Sequence, residues 1–386
     1  MNDAIRLKDA CKILNGFAFK SSKYVDSGIR IIRIANVQKG YVEDEKPAFY
    51  PGSEEPLIRD YLLEENDLLL SLTGNVGRVA LLDKKWLPAA LNQRVACLRI
   101  KDSRIIKDYL YFALLSNKFE NDCIKSSKGI AQKNMSTEWL KDYEIPLPSE
   151  QRQREIVSSL KQLSTIIKNK TEQIRQLDNL IKARFVEMFN RNFNNAVELG
   201  NVCDVRDGTH DSPKYHDEGY PLVTSKNICD GEIDFSTCNL IQKEDYGKIN
   251  KRSKVDIGDI LMPMIGTVGN PIIVNTDKEF AIKNVALIKF KDDTVVLNSF
   301  IKALFQSDYF DRAVLNKTKG GTQKFISLGD IRKLEFNLPP IELQNQFATF
   351  VTRVDKSKFA LGNELTMGDF YIRLIYDRIM HGRIDL

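Results

Sequence analysis

The sequence predicts an α+β fold made of two duplicated domains, each followed by a long helix, with the two helices packed as an antiparallel coiled coil. Two observations carry this prediction. A long apolar seam with helical spacing occurs twice, and the segments that precede the two copies correspond along their length. A period near half of the chain indicates a duplicated domain rather than a short-repeat solenoid. The predicted segments are a first domain at 1–145, a first long helix at 146–195, a second domain at 196–337 and a second long helix at 338–386.

The first seam lies within 147–190, and its positions alternate steps of four and three residues. The flanking positions mostly hold Lys, Arg, Glu, Gln and Asn. Because this stripe is narrower than that of an ordinary globular helix, it is typical of a coiled-coil heptad. A helix of about 39 residues would be roughly 58 Å long, and so narrow a stripe requires a partner helix. The apolar seam residues are Ile156, Leu160, Leu163, Ile167, Ile174, Leu177, Ile181 and Met188.

The second seam keeps the same frame, since Val351 lies 191 positions after Leu160. A surface helix facing an ordinary core explains either copy alone, whereas two copies in one frame favour an intramolecular pair. The second helix is the poorer one because Gly362 and Gly368 each cost about 1 kcal/mol relative to Ala. We expect a bend or fraying there. The apolar residues of this seam are Phe347, Val351, Val354, Leu361, Leu365, Ile372, Ile375 and Ile379.

Each predicted domain mixes strands and helices. Short β-branched runs separated by Gly-containing turns predict strands, which in the first half are 29–35, 67–72, 78–82 and 95–101. Helical spacing at 105–119 has its counterpart at 297–315. Near the end of each half, Ser136 and Ser327 are suited to cap a short helix, and prolines then close the unit.

Composition places the chain among globular proteins. Its 386 residues are 42% hydrophobic and 28% charged, enough for two or three domains with sizeable cores. No transmembrane run, signal peptide or C-x-x-C pair is found, so we expect a cytoplasmic protein with reduced cysteines and no membrane partner. The net charge of +5 permits nucleic acid as a partner but does not require it.

Enzyme signatures are missing from the sequence. It contains neither a G-x-x-x-x-G-K-[ST] nucleotide loop nor an H-E-x-x-H zinc helix, and no nucleophile has an evident base beside it. His210-Asp211 and His216-Asp217 could ligate a divalent ion. The Asp-Ser-Pro turn between the histidines favours a solvated loop instead, and we expect no metal. The sequence therefore predicts a non-catalytic binding protein.

Polar loops recur at matching places in the two halves. Glycines at 73–78 and 266–270 let the backbone approach phosphates closely, although a tight hairpin turn explains either loop equally well. The loops at 125–133 and 317–324 combine Lys with Ser, Thr and Gln, a mixture that neutralises phosphates and contacts base edges; a solvated loop is the alternative. The candidate DNA-binding residues are Asn36, Gln38, Thr73, Asn75, Arg78, Lys128, Gln132, Lys133, His210, Lys226, Asn227, Thr267, Asn270, Lys319, Thr322, Gln323 and Lys324.

The two helix entries and two further motifs resemble a known family. Leu-Pro-x-x-x-x-Gln at 147–153 and again at 338–344 is similar to the start of the helical spacers in the specificity (S) subunit of type I restriction-modification systems. Asp-Gly-Thr-His-Asp-Ser-Pro at 207–213 and Thr-Ser-Lys-Asn-Ile at 224–228 resemble segments of a target recognition domain. The resemblance covers nearly the whole chain.

This resemblance implies a non-catalytic subunit that recognises a gapped, asymmetric bipartite site on double-stranded DNA, one half per target recognition domain. It implies that the helices set the spacing and dock two methyltransferase subunits. No cofactor is expected on this chain; S-adenosylmethionine would be bound by the methyltransferase subunits, and ATP with Mg²⁺ by restriction subunits. Two alternatives stay open from the residues alone: a helical adaptor without DNA specificity, and a self-sufficient DNA-modifying enzyme.

Overall fold

A four-stranded antiparallel sheet forms the centre of each half of the chain in this computed structural model. The chain divides into a first unit, Met1–Thr171 with Asn363–Leu386, and a second unit, Glu172–Gly362. The structure describes residues 3–44, 46–127, 134–191, 193–229, 231–264, 270–291, 295–314 and 326–381.

The described residues of the first unit form three sheets. Its central sheet has the strand order β2-β8-β5-β6, a smaller sheet has the order β4-β3-β7 with β3 and β7 parallel, and β1 pairs with β9. The strands are β1 Ala4–Arg6, β2 Cys11–Asn15, β3 Ile29–Ile32, β4 Phe49–Tyr50, β5 Leu68–Ser71, β6 Val79–Leu81, β7 Ala89–Leu91, β8 Val95–Ile100 and β9 Glu144–Pro146. The helices are α1 Leu7–Ala10, α2 Glu55–Ile58, α3 Lys107–Leu114, α4 Asn117–Ser126, α5 Thr137–Asp142 and the start of α6 Glu150–Phe189.

The second unit repeats this arrangement. Its central sheet has the order β11-β19-β16-β17, the smaller sheet β15-β12-β18 again contains one parallel pair, β10 pairs with β20, and β13 pairs with β14. The strands are β10 Ala196–Glu198, β11 Cys203–Asp207, β12 Tyr220–Val223, β13 Ile228–Cys229, β14 Glu232–Ile233, β15 Asn239–Ile241, β16 Ile260–Pro263, β17 Ile272–Ile273, β18 Ala281–Ile282, β19 Val285–Phe290 and β20 Glu335–Asn337. The helices are α7 Leu199–Val202, α8 Lys243–Ser253, α9 Asn298–Phe305, α10 Asp308–Ala313, α11 Leu328–Arg332 and α12 Ile341–Met380.

Both faces of the central sheet are buried, because successive side chains on a strand point to opposite faces. On β5, Leu68 and Leu70 join the core that contains helices α3 and α4, whereas Leu69 joins the core shared with the smaller sheet. On β16, Ile260 and Leu261 divide in the same way. The predicted duplication and mixed fold are therefore confirmed by topology as well as by sequence.

The ends of the two long helices are built into the cores of the units. Ile156 near the start of α6 and Ile379 at the end of α12 are fully buried in the first unit's core. Phe185 and Met188 near the end of α6, with Phe347 near the start of α12, belong to the second unit's core. Between these ends, every predicted seam position is at least partly buried, as the heptad frame requires.

The two helices pack antiparallel, as predicted. In the first unit Lys170 forms an ion pair with Glu364, and Ile167 packs on Gly368. In the second unit Asp178 accepts from Lys358 at 2.5 Å, and the ring centroids of Phe185 and Phe347 lie 5.7 Å apart. Partner numbers on α12 thus fall as those on α6 rise, within both units.

Three local predictions need correction. Helix α12 continues without interruption through Gly362 and Gly368, so the predicted fraying is wrong; Gly368 has a packing role against Ile167. The single helix predicted at 105–119 is two helices, because α3 ends at Leu114 and the Ser116 hydroxyl caps α4 by accepting from Phe119 N. The strand predicted at 29–35 ends at Ile32, before a 3₁₀ turn. Ser136 and Ser327 do cap short helices, as expected.

Candidate nucleic-acid interface

Three of the candidate DNA-binding residues of the first unit lie together on its surface. Gln38 follows a 3₁₀ turn, and Asn75 and Arg78 follow strand β5. The Arg78 guanidinium donates to the Gln38 side-chain oxygen and, in the amide orientation that satisfies both groups, to the Asn75 oxygen at 3.2 and 3.3 Å. We call these three residues the Arg78 cluster. Because a guanidinium has five N–H donors, the Arg78 cluster holds the group in place while leaving donors for a base edge or phosphate.

The turn that carries the Arg78 cluster is fixed from beneath. The Arg78 backbone N–H donates to Ser71 Oγ at 3.1 Å, and the Ser71 hydroxyl donates to the Asn75 carbonyl. Gly77 adopts a φ of +86°, and a Cβ there would lie 2.9 Å from that of Cys123. Only glycine fits this position without displacing α4. The turn is therefore fixed by its own hydrogen bonds and by Gly77, and ligand binding by this turn stays a prediction.

Thr73 joins this turn to Asn134, the residue that follows the lysine loop at 125–133 in sequence. Its hydroxyl donates to Asn134 Oδ1 at 2.8 Å, and Met135 N donates to the Leu72 carbonyl at 2.9 Å. Asn134 and Met135, which follow the lysine loop in sequence, are thus held beside the turn, although Thr73 itself is buried. Sequence alone gave no reason to connect two segments about 60 positions apart.

Asn36 and Asn227 occupy equivalent buried places, each only 4% exposed. Their side-chain oxygens accept from Arg33 N and Thr224 N at 2.9 Å, which closes a 3₁₀ turn in each unit. The Asn36 amide also donates to the Glu43 carbonyl at 2.8 Å. These bonds argue against direct base contact by either asparagine, because both side-chain amides already form hydrogen bonds within their own unit.

In the second unit, both ring nitrogens of the candidate His210 have hydrogen-bond partners. Its Nε2 lies 2.8 Å from Asp207 Oδ2 and its Nδ1 lies 2.8 Å from Asn284 Oδ1. Two oxygen acceptors favour the doubly protonated ring, so the pKa of His210 is raised by the Asn284 contact first and by Asp207 second. Arg252 shares the buried Asp207 carboxylate, and a cavity of about 350 Å³ lies beside it. The sequence did not identify Asn284 or Arg252.

Of the other candidates, two are exposed and the rest lie outside the residues that the structure describes. Lys226 and Asn270 are exposed on the second unit. Within the part of the chain that the structure describes, no group of three or more His, Cys, Asp or Glu side chains could hold a metal ion. Nor does any described helix have the length and apolarity to cross a membrane. The candidates that lie outside the described residues are Lys128, Gln132, Lys133, Thr267, Lys319, Thr322, Gln323 and Lys324.

Comparison with known proteins gives a consistent result. Residues 2–178 and 193–367 each match the family described as the type I restriction modification DNA specificity domain. The EcoBI specificity subunit of Escherichia coli is 24% identical, over 91% of this chain and 78% of that protein. The MjaVIII specificity subunit of Methanocaldococcus jannaschii is 27% identical, over 50% of this chain and 48% of that protein.

Solved structures share the fold. A chain from a study of complex assembly in a type I restriction-modification system superposes with a TM-score of 0.57 at 16% identity, covering 99% of this chain and 98% of that one. The S subunit from M. genitalium superposes with a TM-score of 0.52 at 14% identity, covering 98% and 96%. Both matches extend over the two units and both long helices.

Proposed function

The chain belongs to the type I restriction-modification DNA specificity family, and from this premise we propose that it reads a gapped, asymmetric bipartite site on double-stranded DNA. Each unit contacts one half-site. The first unit uses the Arg78 cluster and the lysine loop at 125–133. The second unit uses His210, Lys226, Asn270 and the lysine loop at 317–324.

The observation that carries this proposal is a common framework with different exposed side chains. The central sheets of the two units have matching strand orders, and in each unit the last strand, β9 or β20, leads into a long helix. At matching surface positions, however, Arg78 corresponds to Asn270 and Gln38 to Cys229. Arg pairs bidentately with guanine and Asn with adenine, so the two units carry different base preferences on one scaffold. A two-part site with unlike halves follows from this difference.

We assign the spacing of the half-sites to the paired helices. α6 and α12 are each 40 residues long, and each is anchored in both cores. An anchored helix pair resists bending, since its hydrogen bonds and its interhelical seam act together. The length of the pair, rather than a base contact, then sets the length of the unread gap.

The outward surface of the same helices is the proposed docking site for two methyltransferase subunits. Phe359 is 73% exposed and Phe370 is 62% exposed on α12, and Met367 and Tyr371 are also exposed. On α6, Ile166, Leu180 and Val186 are exposed as well. Large apolar side chains outside the seam have no role in pairing the helices and are typical of a protein interface. The methyltransferase subunits supply S-adenosylmethionine chemistry, and restriction subunits supply ATP-dependent chemistry.

The experiment that tests this proposal is the assembly of the chain with its methyltransferase subunits, followed by sequencing of methylated adenines. We expect one bipartite motif. Arg78→Ala should relax the base preference at one half-site, because a bidentate Arg contact contributes about 1–3 kcal/mol of discrimination. Lys226→Ala should weaken binding at the other half-site. Arg59→Ala is the matched control, an exposed arginine of the first unit outside the Arg78 cluster.

Paired alanine replacements at Gln132 and Lys133, or at Gln323 and Lys324, should weaken DNA binding by the assembled complex. Sequence-blind methylation by that complex would favour the adaptor alternative. Methylation by the purified chain alone, with S-adenosylmethionine added, would establish the enzyme alternative. A large ratio of specific to non-specific affinity for DNA would exclude the adaptor alternative.

A further inference from the structure

Tyr111 and Lys302 hold the same position in the two units, the fifth residue of α3 and of α9. In the first unit the Tyr111 hydroxyl donates to the Gly40 carbonyl at 2.9 Å. Lys302 replaces this tyrosine in the second unit, where Gly231 is the counterpart of Gly40. A cavity is present at this place in both units, of about 570 Å³ in the first and about 540 Å³ in the second. The two units differ in what lines it: the first has a phenol that is hydrogen-bonded to Gly40, and the second has an ammonium group.

A second pair of equivalent residues shows the same contrast. Asp108 of the first unit forms an ion pair with Lys161 at 2.5 Å. Its counterpart Ser299 has a buried hydroxyl oxygen without a hydrogen-bond partner among the described residues. In the first unit, Lys39 is also paired, with Glu120 at 2.7 Å. The polar groups at this place in the first unit are thus satisfied internally, whereas those of the second unit are not.

Lys302 and Ser299 both line a cavity of about 540 Å³ in the second unit. Across the described ranges, no carboxylate lies within ion-pair distance of the Lys302 ammonium. Burial lowers the pKa of Lys302, and nearby Asp355 only partly opposes this effect. A desolvated ammonium without a partner is costly, so the cavity favours an occupant that brings negative charge.

The remaining charges around the cavity also favour an anion. Asp178 is engaged by Lys358 at 2.5 Å, and Lys358 lies 3.9 Å from Asp355. Lys182 lines the cavity and is exposed. With Lys302 included, three ammonium groups thus face two carboxylates, which leaves a net excess of one positive charge around the cavity. The Ser299 hydroxyl can donate to the same occupant.

Two further residues that line the cavity indicate which molecule supplies that anion. Gly231 and Asn270 line it, and both lie in segments equivalent to those that carry the Arg78 cluster. The cavity therefore adjoins the surface that, under the proposed function, faces DNA. A phosphate of the DNA backbone supplies negative charge and acceptor oxygens together.

We propose that Lys302 and Ser299 form a phosphate-binding site for the DNA backbone, present in the second unit and replaced by the Tyr111–Gly40 contact in the first. This inference rests on the proposed function. The site positions the second half of the DNA and carries no sequence information, since phosphate contacts do not distinguish bases. It makes the phosphate contacts of the two half-sites unequal.

The test uses the chain assembled with its methyltransferase subunits and measures the affinity for DNA across a range of salt concentrations. Lys302→Met keeps the apolar stem and removes the charge. We expect about tenfold weaker binding to cognate and non-cognate DNA alike, and a salt slope smaller by about 0.9 for the lost phosphate. Lys168→Met is the matched control, an exposed lysine of α6 that does not line the cavity. Ser299→Ala should weaken binding less, without changing the slope.

A scan of the DNA with single methylphosphonate substitutions locates the contact. One substitution near the second half-site should weaken binding by the unaltered complex and have no further effect on Lys302→Met. The methylated motif should stay the same, and the midpoint of thermal unfolding should be equal or higher, because an unpaired buried charge is removed.

An unchanged salt slope in Lys302→Met, with the motif intact, overturns the phosphate site and leaves the proposed function standing. Weaker binding of the methyltransferase subunits by Lys302→Met would instead identify the anion as a carboxylate of that partner, which also overturns the phosphate assignment. Loss of sequence-specific methylation by the unaltered complex would count against the proposed function itself.

Discussion

Gln153 and Gln344 make the same three hydrogen bonds in the two units, and both are fully buried. Each side-chain oxygen accepts from a backbone N–H that precedes a helix, Ile106 for Gln153 and Leu297 for Gln344. Each amide donates to two backbone carbonyls, those of Arg104 and Pro148 in the first unit and those of Val295 and Pro339 in the second. The long helices are thereby locked to the globular part of each unit at their first turns.

The first prediction concerns these two glutamines. Gln344→Met keeps the volume but leaves one buried N–H and two carbonyls without partners, so we expect a loss of about 2–4 kcal/mol in the free energy of unfolding. Gln153→Met should have an effect of similar size. Urea denaturation followed by circular dichroism measures both. Gln346→Met and Gln151→Met are the controls, since these glutamines are exposed on the same helices. A loss below about 0.5 kcal/mol would contradict the locking role.

The second prediction separates the two glycines of α12. A Cβ at Gly362 would meet no atom within 4 Å, so Gly362→Ala should raise the free energy of unfolding by about 1 kcal/mol through helix propensity alone. A Cβ at Gly368 would lie 3.1 Å from Ile167 Cγ1. Gly368→Ala should therefore gain less than Gly362→Ala, and Gly368→Leu should destabilise.

The double variant Gly368→Ala with Ile167→Val checks this explanation by a double-mutant cycle. Shortening Ile167 gives the new Cβ room, so the coupling between the two changes should be favourable. Equal gains from Gly362→Ala and Gly368→Ala, with no coupling to Ile167, would show that the contact does not limit the packing of the helices.

The third prediction concerns the pH dependence of stability at His210. The pKa of His210 in the folded chain is raised above its ordinary value of 6.5, by Asn284 and then by Asp207. Its stabilising contribution is therefore fully present below about pH 6.5 and is lost as pH rises through the raised pKa. The free energy of unfolding of His210→Gln should approach that of the unaltered chain as pH rises from about 6 to 8.

Nuclear magnetic resonance titration of the His210 ring gives the pKa directly. Asn284→Gly removes the amide acceptor while tolerating the backbone φ of +54° at this position, so the pKa should fall towards 6.5. His216→Gln serves to assign the resonances and should leave the His210 titration in place. A His210 ring that titrates at or below 6.5 in the unaltered chain would refute the doubly protonated arrangement.

The fourth prediction tests the spacing role of the helices. Four residues inserted at 168–170, matched by four inserted beside Glu364, lengthen each helix by about 6 Å. Both insertions are needed because Lys170 pairs with Glu364 across the seam. We expect the gap of the methylated motif to lengthen by about one or two base pairs with both half-sites unchanged. An unchanged gap in the sequenced methylome would defeat the proposed spacing role.

Much of this molecule could be predicted from sequence. The heptad seam from Ile156 to Met188, and its recurrence from Phe347 to Ile379, indicated two long paired helices, because a narrow apolar stripe has few other solutions. Short β-branched runs between Gly-containing turns located the central strands. The matching halves determined the duplication. These features depend on patterns along the sequence, which can be recognised without knowledge of the fold.

Only the tertiary structure decided which side chains meet. Arg78 contacts Gln38 across 40 positions of sequence, and His210 meets Asn284 across 74. Asn36 looked like a base-reading amide but is buried by its own turn. The sequence gave no reason to single out Lys302, which the structure places on the lining of a cavity in the second unit. Such contacts are set by the packing of segments that are distant in sequence. The side-chain arrangement of the proposed DNA interface therefore depends on the tertiary structure, whereas the helices and strands that carry it could be predicted from local sequence.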